Sequence, residues 1–167
     1  MSTAFQDQAV IVTGASAGIG KSLALQLASQ GAKLAIAARR AERLEQVADE
    51  CRALGGEVLV VPTDVSDEAQ CKELIEKTIT AFGRLDMLIN NAGLAASALF
   101  DEFPDLHLFK QTMDANFYGV VYCTYYALPY LKQSKGRIVA ISSVGGKAAI
   151  PYNTPYCASK YAMHGFY

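Results

Sequence analysis

The chain has 167 residues, the length of one domain, and its 51% hydrophobic and 19% charged residues are enough to build a buried core. A formal net charge of −1 gives no electrostatic attraction for nucleic acid or an anionic membrane, so we predict neither as a partner. No apolar run approaches the roughly 18 residues of a membrane span, and the N-terminus does not resemble a signal peptide. We therefore expect a single domain over residues 1–167 of a cytoplasmic protein.

The first half of the chain alternates short β-branched runs with amphipathic stretches, which is the pattern of βαβ units and a parallel sheet. Residues 9–12 predict a buried strand, and residues 21–30 predict a helix that follows a glycine-rich loop. A second strand is predicted at residues 34–37, a second helix at 41–54 and a third strand at 58–61. Ser66 is expected to cap a third helix, in which apolar residues recur at helical spacing.

The second half continues this alternation with a strand at residues 87–89 and another at 137–141. A long helical stretch at residues 106–131 separates the two strands. Its second half is apolar nearly all round, and such a helix usually packs against something besides its own sheet, so we expect a subunit interface there. The four cysteines are scattered, and neither His107 nor His164 stands at metal-ligand spacing. We predict no metal site and interpret both histidines as structural or surface residues.

The segment TGASAGIG at residues 13–20 lies between the first predicted strand and the first predicted helix. Glycines at such a turn let the backbone approach a pyrophosphate, whose charge is favoured by the unpaired N–H groups of the helix N-terminus. The alternative is that these glycines only punctuate the structure. The position between a strand and a helix favours the phosphate loop.

The end of the second strand indicates which dinucleotide would bind. NAD-binding folds place an acidic residue there, about 20 residues after the loop, where it bonds the ribose 2′-hydroxyl. This chain has Ala38 followed by Arg39 and Arg40. Guanidinium groups pair with a 2′-phosphate, which an acid would repel, so NADP(H) is favoured over NAD(H). The alternative is a solvated basic start to the second helix.

Together these segments resemble the short-chain dehydrogenase/reductase family over essentially the whole chain. The glycine-rich loop is similar to that family's cofactor loop, and Asp64-Val65 to its adenine-contacting pair. Four further motifs follow in the family's order: Asn90-Asn91-Ala92-Gly93, the helix-borne Asn116, Ser143 within SSVGG, and Tyr156 with Lys160 in YCASK. The resemblance implies a Rossmann-like, doubly wound α/β fold with helices on both faces of a parallel sheet.

The resemblance also implies the roles of individual residues. Asn116, Ser143, Tyr156 and Lys160 are expected to be catalytic, with Tyr156 as the general acid/base. Ser143 would bond the substrate oxygen, Lys160 would also hold the nicotinamide ribose, and Asn116 would bind a water that relays protons. The cofactor-binding residues are expected to be Gly14, Ser16, Ala17, Gly18, Ile19, Gly20, Arg39, Arg40, Asp64, Val65, Asn91, Ala92 and Gly93, together with Tyr156 and Lys160.

The chemistry of the last motif can be argued from its residues. Tyr156 and Lys160 are four positions apart, so both side chains lie on one face of a helix. A free tyrosine titrates near pH ~10, and a nearby ammonium favours the tyrosinate, which brings a phenol closer to the working pH of an acid–base catalyst. We expect hydride transfer between NADP(H) and a ketone or secondary alcohol.

The chain departs from the family in length, because it stops within the helix that carries Tyr156 and Lys160. We expect a chain truncated at the C-terminus, without the family's last strands, which retains the adenine half of the site. The natural protein would be a homodimer or homotetramer. An alternative is a catalytically inactive fragment that binds nucleotide or a partner. Apolar pocket candidates favour a small hydrophobic carbonyl or alcohol substrate: Leu94, Ala95, Ile150, Pro151 and Tyr152.

Overall fold

The computed structural model describes residues 4–95 and 97–167, and within them five parallel strands form one sheet. The strands are β1 (Ala9–Thr13), β2 (Lys33–Ala38), β3 (Glu57–Pro62), β4 (Met87–Asn90) and β5 (Arg137–Ala140). Their order across the sheet is β3-β2-β1-β4-β5, and all four neighbouring pairs are parallel. The five strands predicted from the sequence are confirmed.

Helices connect the strands and continue beyond β5. They are α1 (Gly18–Ala28), α2 (Ala41–Ala53), α3 (Glu68–Phe82), α4 (His107–Met113), α5 (Gly119–Ser134) and α6 (Thr154–Phe166). A π-helical turn, Asp114–Tyr118, joins α4 to α5, and a 3₁₀ turn, Val144–Gly146, lies between β5 and α6. None of the helices within the described residues has the length and apolar character needed to cross a membrane.

Helices cover both faces of the sheet. Successive residues of a buried strand point to opposite faces, so each strand contributes side chains to two cores. Val10 and Val12 of β1 belong to a core that includes buried residues of α1 and α2, whereas Ile11 belongs to a second core with α3 and α5. All three side chains are completely buried, and complete burial of such a side chain contributes about 1.5–3 kcal/mol. This arrangement confirms the doubly wound fold.

Two details differ from the sequence-based expectations. Ser66 does not cap the third helix; Asp67 is the cap, and its carboxylate accepts hydrogen bonds from the N–H groups of Ala69 and Gln70. These hydrogen bonds, chiefly the one from Gln70, lower the pKa of Asp67. The helical stretch expected at residues 106–131 is present at 107–134, but its middle turn, Asp114–Tyr118, is π-helical rather than α-helical.

The strand order places the candidate site. The sheet runs from β1 to β2 and β3 in one direction and from β1 to β4 and β5 in the other, so the connections reverse direction between β1 and β4. In open α/β sheets, ligands bind in the crevice at the carboxyl ends of the strands on either side of such a reversal. The loops that leave β1 and β4 meet at this point.

Candidate active site

The loop after β1 is shaped by two glycines with positive φ, Gly14 at +66° and Gly18 at +55°. An added Cβ on Gly14 would lie 2.8 Å from Cα of Ala92, so only glycine lets the two loops pack this closely. The loop leads directly into α1, whose N-cap Ala17 provides no side-chain hydrogen bond and whose first turn carries no acidic residue. The N–H groups of this turn therefore remain available to an anionic group.

Polar side chains hold the loops after β1 and β4 together. The Thr13 hydroxyl donates to the Ile89 carbonyl at 3.2 Å and accepts from the backbone N–H groups of Asn91 and Ala92, both at 3.0 Å. The Asn91 side-chain amide donates back to the carbonyls of Thr13, at 2.9 Å, and Gly14, at 3.2 Å. Asn91 therefore fixes the mouth of the crevice.

A cleft of about 520 Å³ opens beside these loops, within the size range of ligand pockets. Its wall contains predicted cofactor residues from four loops: Gly14, Ser16, Ala17, Ile19, Arg39, Arg40, Asp64, Val65, Asn91, Ala92 and Gly93. Gly18 and Gly20 follow the first of these loops, in the first turn of α1, and an added Cβ on Gly20 would collide with the Gly14 carbonyl oxygen. The wall formed by the described residues does not include Tyr156 or Lys160.

The charges around the cleft suit a phosphorylated nucleotide. Arg39 and Arg40 are exposed at its edge, and no carboxylate within residues 4–95 and 97–167 forms an ion pair with either of them. Asp64, which also lines the cleft, accepts hydrogen bonds from the Ser66 N–H at 3.0 Å and from the Ser66 hydroxyl at 2.7 Å, which fix its carboxylate. No group of three or more potential metal ligands occurs among the described residues.

The second part of the candidate site lies on α6, which begins at Thr154 with Pro155 in its first turn, a position that suits proline. Lys160 is only 5% exposed, and its Nζ donates to the Ile141 carbonyl at 2.8 Å. The same Nζ lies 5.7 Å from the centre of the Tyr156 ring. Burial lowers the pKa of Lys160, because desolvation disfavours the charged ammonium.

Ser143 lies in the loop after β5, where its hydroxyl caps the 3₁₀ turn by accepting from the Gly145 N–H at 3.1 Å. This turn packs against α6: an added Cβ on Gly145 would lie 3.3 Å from Tyr156 Cδ1 and 3.3 Å from Cys157 Sγ. The structure therefore brings the loop that carries Ser143 against the start of the helix that carries Tyr156 and Lys160.

Asn116 lies in the π-helical turn and is completely buried. Its Oδ1 accepts from the Leu94 N–H at 2.7 Å, and its Nδ2 donates to the Leu94 carbonyl at 2.8 Å and to Ser159 Oγ at 2.9 Å. Ser159 Oγ donates in turn to the Tyr156 carbonyl at 2.7 Å. The Asn116 carboxamide thus connects the loop after β4 to α6, and its expected role in binding a water stays a prediction.

Of the apolar residues expected to form a substrate pocket, only Leu94 lines the cleft described above. Ile150 Cδ1 lies 3.3 Å from the position of an added Cβ on Gly145. Tyr152 is 55% exposed with a φ of +64°, and its carbonyl accepts from the Ala98 N–H at 2.8 Å. Ala95 and Pro151 are also exposed.

One contact beside the site was not anticipated from the sequence. Ser142 Oγ and His164 Nε2 share a hydrogen bond of 2.6 Å, which joins the loop after β5 to the last turns of α6. The two residues are 22 positions apart, so no local spacing pattern could have paired them. Only the fact that His164 stands four residues after Lys160 could have directed attention to it.

Comparisons with known proteins agree with this geometry. The family model described as short chain dehydrogenase matches residues 8–167. The 11-beta-hydroxysteroid dehydrogenase-like 3 of Arabidopsis thaliana is 47% identical over 159 residues, which are 95% of this chain and 52% of that protein. The chain spans about half the length of the curated relatives it matches, between 46% and 53%.

Solved structures give the same result. The chain superposes with a TM-score of 0.93 and 32% identity on a short chain dehydrogenase/reductase from Burkholderia phymatum in complex with NAD, covering 97% of this chain and 58% of that one. It superposes with a TM-score of 0.92 and 32% identity on an alcohol dehydrogenase from the archaeon Thermococcus sibiricus complexed with 5-hydroxy-NADP, covering 95% and 68%. The chain therefore belongs to the short-chain dehydrogenase family of oxidoreductases.

Proposed function

We propose that the natural protein containing this chain is an NADP(H)-dependent oxidoreductase that interconverts a hydrophobic ketone and its secondary alcohol. The observation that carries the proposal is the arrangement on α6. The buried Lys160 ammonium lies 5.7 Å from the Tyr156 ring, and the loop bearing Ser143 packs against the same helix. A phenol and a buried cation on one helix, with a hydroxyl on the loop packed against that helix, are the groups that acid–base chemistry at a carbonyl oxygen requires.

The chain's own residues would act on the oxygen of the substrate. In reduction, the Tyr156 phenol donates a proton to the carbonyl oxygen while Ser143 donates a hydrogen bond to it; in oxidation, Tyr156 accepts the proton of the alcohol. The Lys160 ammonium has three donors and uses one on Ile141, so two remain to hold a ribose and stabilise negative charge on the phenol. NADP(H), when bound, supplies the transfer of a hydride to or from the carbon that bears the oxygen.

The cleft fits the adenosine and pyrophosphate part of such a cofactor. A pyrophosphate would accept hydrogen bonds from the N–H groups at the start of α1, where no acidic side chain opposes it. Arg39 and Arg40 line the cleft just after β2, and neither is neutralised by a carboxylate of the described residues, so both are available to pair with a ribose 2′-phosphate. These charges support NADP(H) over NAD(H).

The substrate class is proposed from the relatives and from two side chains. Several relatives that are 45% to 47% identical are named 11-beta-hydroxysteroid dehydrogenases or as similar to them. Leu94 lines the cleft, and Ile150 lies against the turn that follows Ser143, so each offers apolar surface to a substrate. A hydrophobic ring ketone or the corresponding secondary alcohol is therefore the first substrate to test.

We propose further that the natural protein is a homodimer or homotetramer. Aromatic and aliphatic side chains of α5 remain open to solvent, with Tyr125 70% exposed and Leu128 39% exposed. Together with Ile75 of α3 they line an apolar groove of about 580 Å³. Apolar surface of this kind supports an interface between subunits.

The test is the Tyr156→Phe variant of the natural protein, assayed by the loss of NADPH absorbance with a panel of steroid and small aliphatic ketones. Phenylalanine keeps the ring but lacks the proton, so we expect kcat to fall by about 10²- to 10⁴-fold while the Kd for NADPH changes by less than about threefold. Tyr161→Phe, an exposed tyrosine on the same helix, is the matched control and should retain activity. Unchanged turnover in Tyr156→Phe contradicts the proposed mechanism.

A further inference from the structure

Two side chains of α6 hold consecutive residues of the loop after β5. Lys160 Nζ donates to the Ile141 carbonyl at 2.8 Å, and His164 Nε2 shares a hydrogen bond of 2.6 Å with Ser142 Oγ. Lys160 and His164 are four residues apart on the helix, so they project from neighbouring turns of one face. The next residue of the loop is Ser143. The loop is thus attached to α6 at two successive residues directly before Ser143.

The His164 ring fits beside Ser142 only because residue 146 is a glycine. The imidazole packs on Gly146, where an added Cβ would lie 2.6 Å from His164 Cδ2 and 2.9 Å from its Nε2. Any larger residue at position 146 would push away the nitrogen that bonds Ser142. Gly146 also belongs to the turn that Ser143 begins, because its N–H donates to the Ser143 carbonyl at 3.0 Å. The ring is therefore in contact with both ends of the Ser143 turn.

We propose that His164 is a positioning residue, whose hydrogen bond to Ser142 fixes the loop after β5 against α6. This inference rests on the proposed function, in which Ser143 from the loop and Tyr156 from the helix act on one substrate oxygen. Catalysis by two groups on different elements depends on their separation, and a displacement of about 1 Å can cost on the order of 10² in rate. The Lys160 contact alone leaves this separation less well defined, because a lysine side chain is long and flexible.

The experiment compares four variants of the natural protein: His164→Ala, His164→Gln, Ser142→Ala and the double variant His164→Ala with Ser142→Ala. We expect each alanine variant to lower kcat by about 3- to 10-fold, the range of one hydrogen bond between side chains, with a smaller change in KM. The kcat of the double variant should be no lower than that of the less active single variant, because both changes break the same bond. Glutamine can offer a nitrogen or oxygen near the position of Nε2, so His164→Gln should recover most of the rate. His107→Ala, an exposed histidine at the start of α4, is the control.

A second readout does not depend on turnover. The amides of Gly145 and Gly146 donate to Ser143, so hydrogen exchange at these two amides reports whether the turn is held. We expect faster exchange in both alanine variants and exchange close to that of the wild type in His164→Gln. If His164→Ala does not fold, Ser142→Ala and Gly146→Ala, which removes the bond by displacing the ring, are judged by the same criteria.

The outcomes separate this inference from the proposed function. A fall in thermal stability with unchanged kcat and exchange would make the contact merely structural and would overturn the inference. Additive losses in the double variant would also overturn it, since the residues would then act independently. Full turnover in Tyr156→Phe, measured in parallel, would instead reject the proposed function, and the hydrogen-exchange result would still decide whether His164 holds the loop.

Discussion

Thr13 provides the sharpest test of how the loops after β1 and β4 are held together beside the cleft. Its side chain is 1% exposed, and its hydroxyl makes three hydrogen bonds, one donated to Ile89 and two accepted from Asn91 and Ala92. Thr13→Val keeps the shape of the side chain but leaves two backbone N–H groups facing a methyl group. Each buried unsatisfied donor costs about 1–3 kcal/mol, and both groups here are only partly buried, so we expect a loss near the low end, about 2–3 kcal/mol in total.

The assay is urea denaturation followed by circular dichroism, combined with titration of NADPH. Thr13→Ser is the matched control, because it keeps the hydroxyl and loses one methyl group, at a cost of about 1 kcal/mol. Thr13→Val should therefore be less stable than Thr13→Ser by at least about 1 kcal/mol and should bind NADPH more weakly, because the loops after β1 and β4 would separate. Equal stability of the two variants would refute the reasoning, since the hydroxyl would then contribute nothing.

Two further changes act on the same cleft. Arg39→Ala should raise the Kd for NADPH by about 3- to 10-fold and leave the Kd for NADH unchanged, because an exposed guanidinium acts only on the 2′-phosphate. Both constants can be measured by fluorescence titration, and an equal loss of affinity for the two cofactors would contradict this prediction. Gly119→Ala should destabilise the fold by about 1 kcal/mol in urea denaturation, because the added Cβ would lie 2.8 Å from Val65 Cγ2 and overpacking outweighs the gain in helix propensity. A more stable Gly119→Ala variant would show that Val65 moves freely.

The strands and their parallel direction could be predicted because they depend on patterns in the local sequence. Each strand is a short run of β-branched or apolar residues between turn signals, and helices alternate with strands up to β5. The parallel sheet follows from this alternation. The glycine-rich loop was equally predictable, because positive φ at Gly14 and Gly18 is a property that the residue type itself reveals.

The features that the sequence did not reveal depend on contacts between distant residues. The π-helical turn within the helical stretch contains Asn116, whose carboxamide pairs with the backbone of Leu94, 22 positions away. Hydrophobic periodicity does not report such a bond. The prediction of Ser66 as the helix cap was wrong for a different reason. Ser66 and Asp67 both have side-chain oxygens that can cap a helix, but the Ser66 hydroxyl is bound to Asp64, and Asp67 caps the helix instead.

The same contacts explain how loops at a sheet edge can form an ordered site. Loops are the most mobile part of an α/β fold, yet a catalytic arrangement needs positions fixed within about 0.5 Å. Asn91 fastens the loop after β4 to the loop after β1, and Asn116 fastens it to α6 through Ser159. His164 and Lys160 attach the loop after β5 to the same helix. These bonds connect the three loops to one another and to α6, so the fold itself helps to position the residues that surround Tyr156.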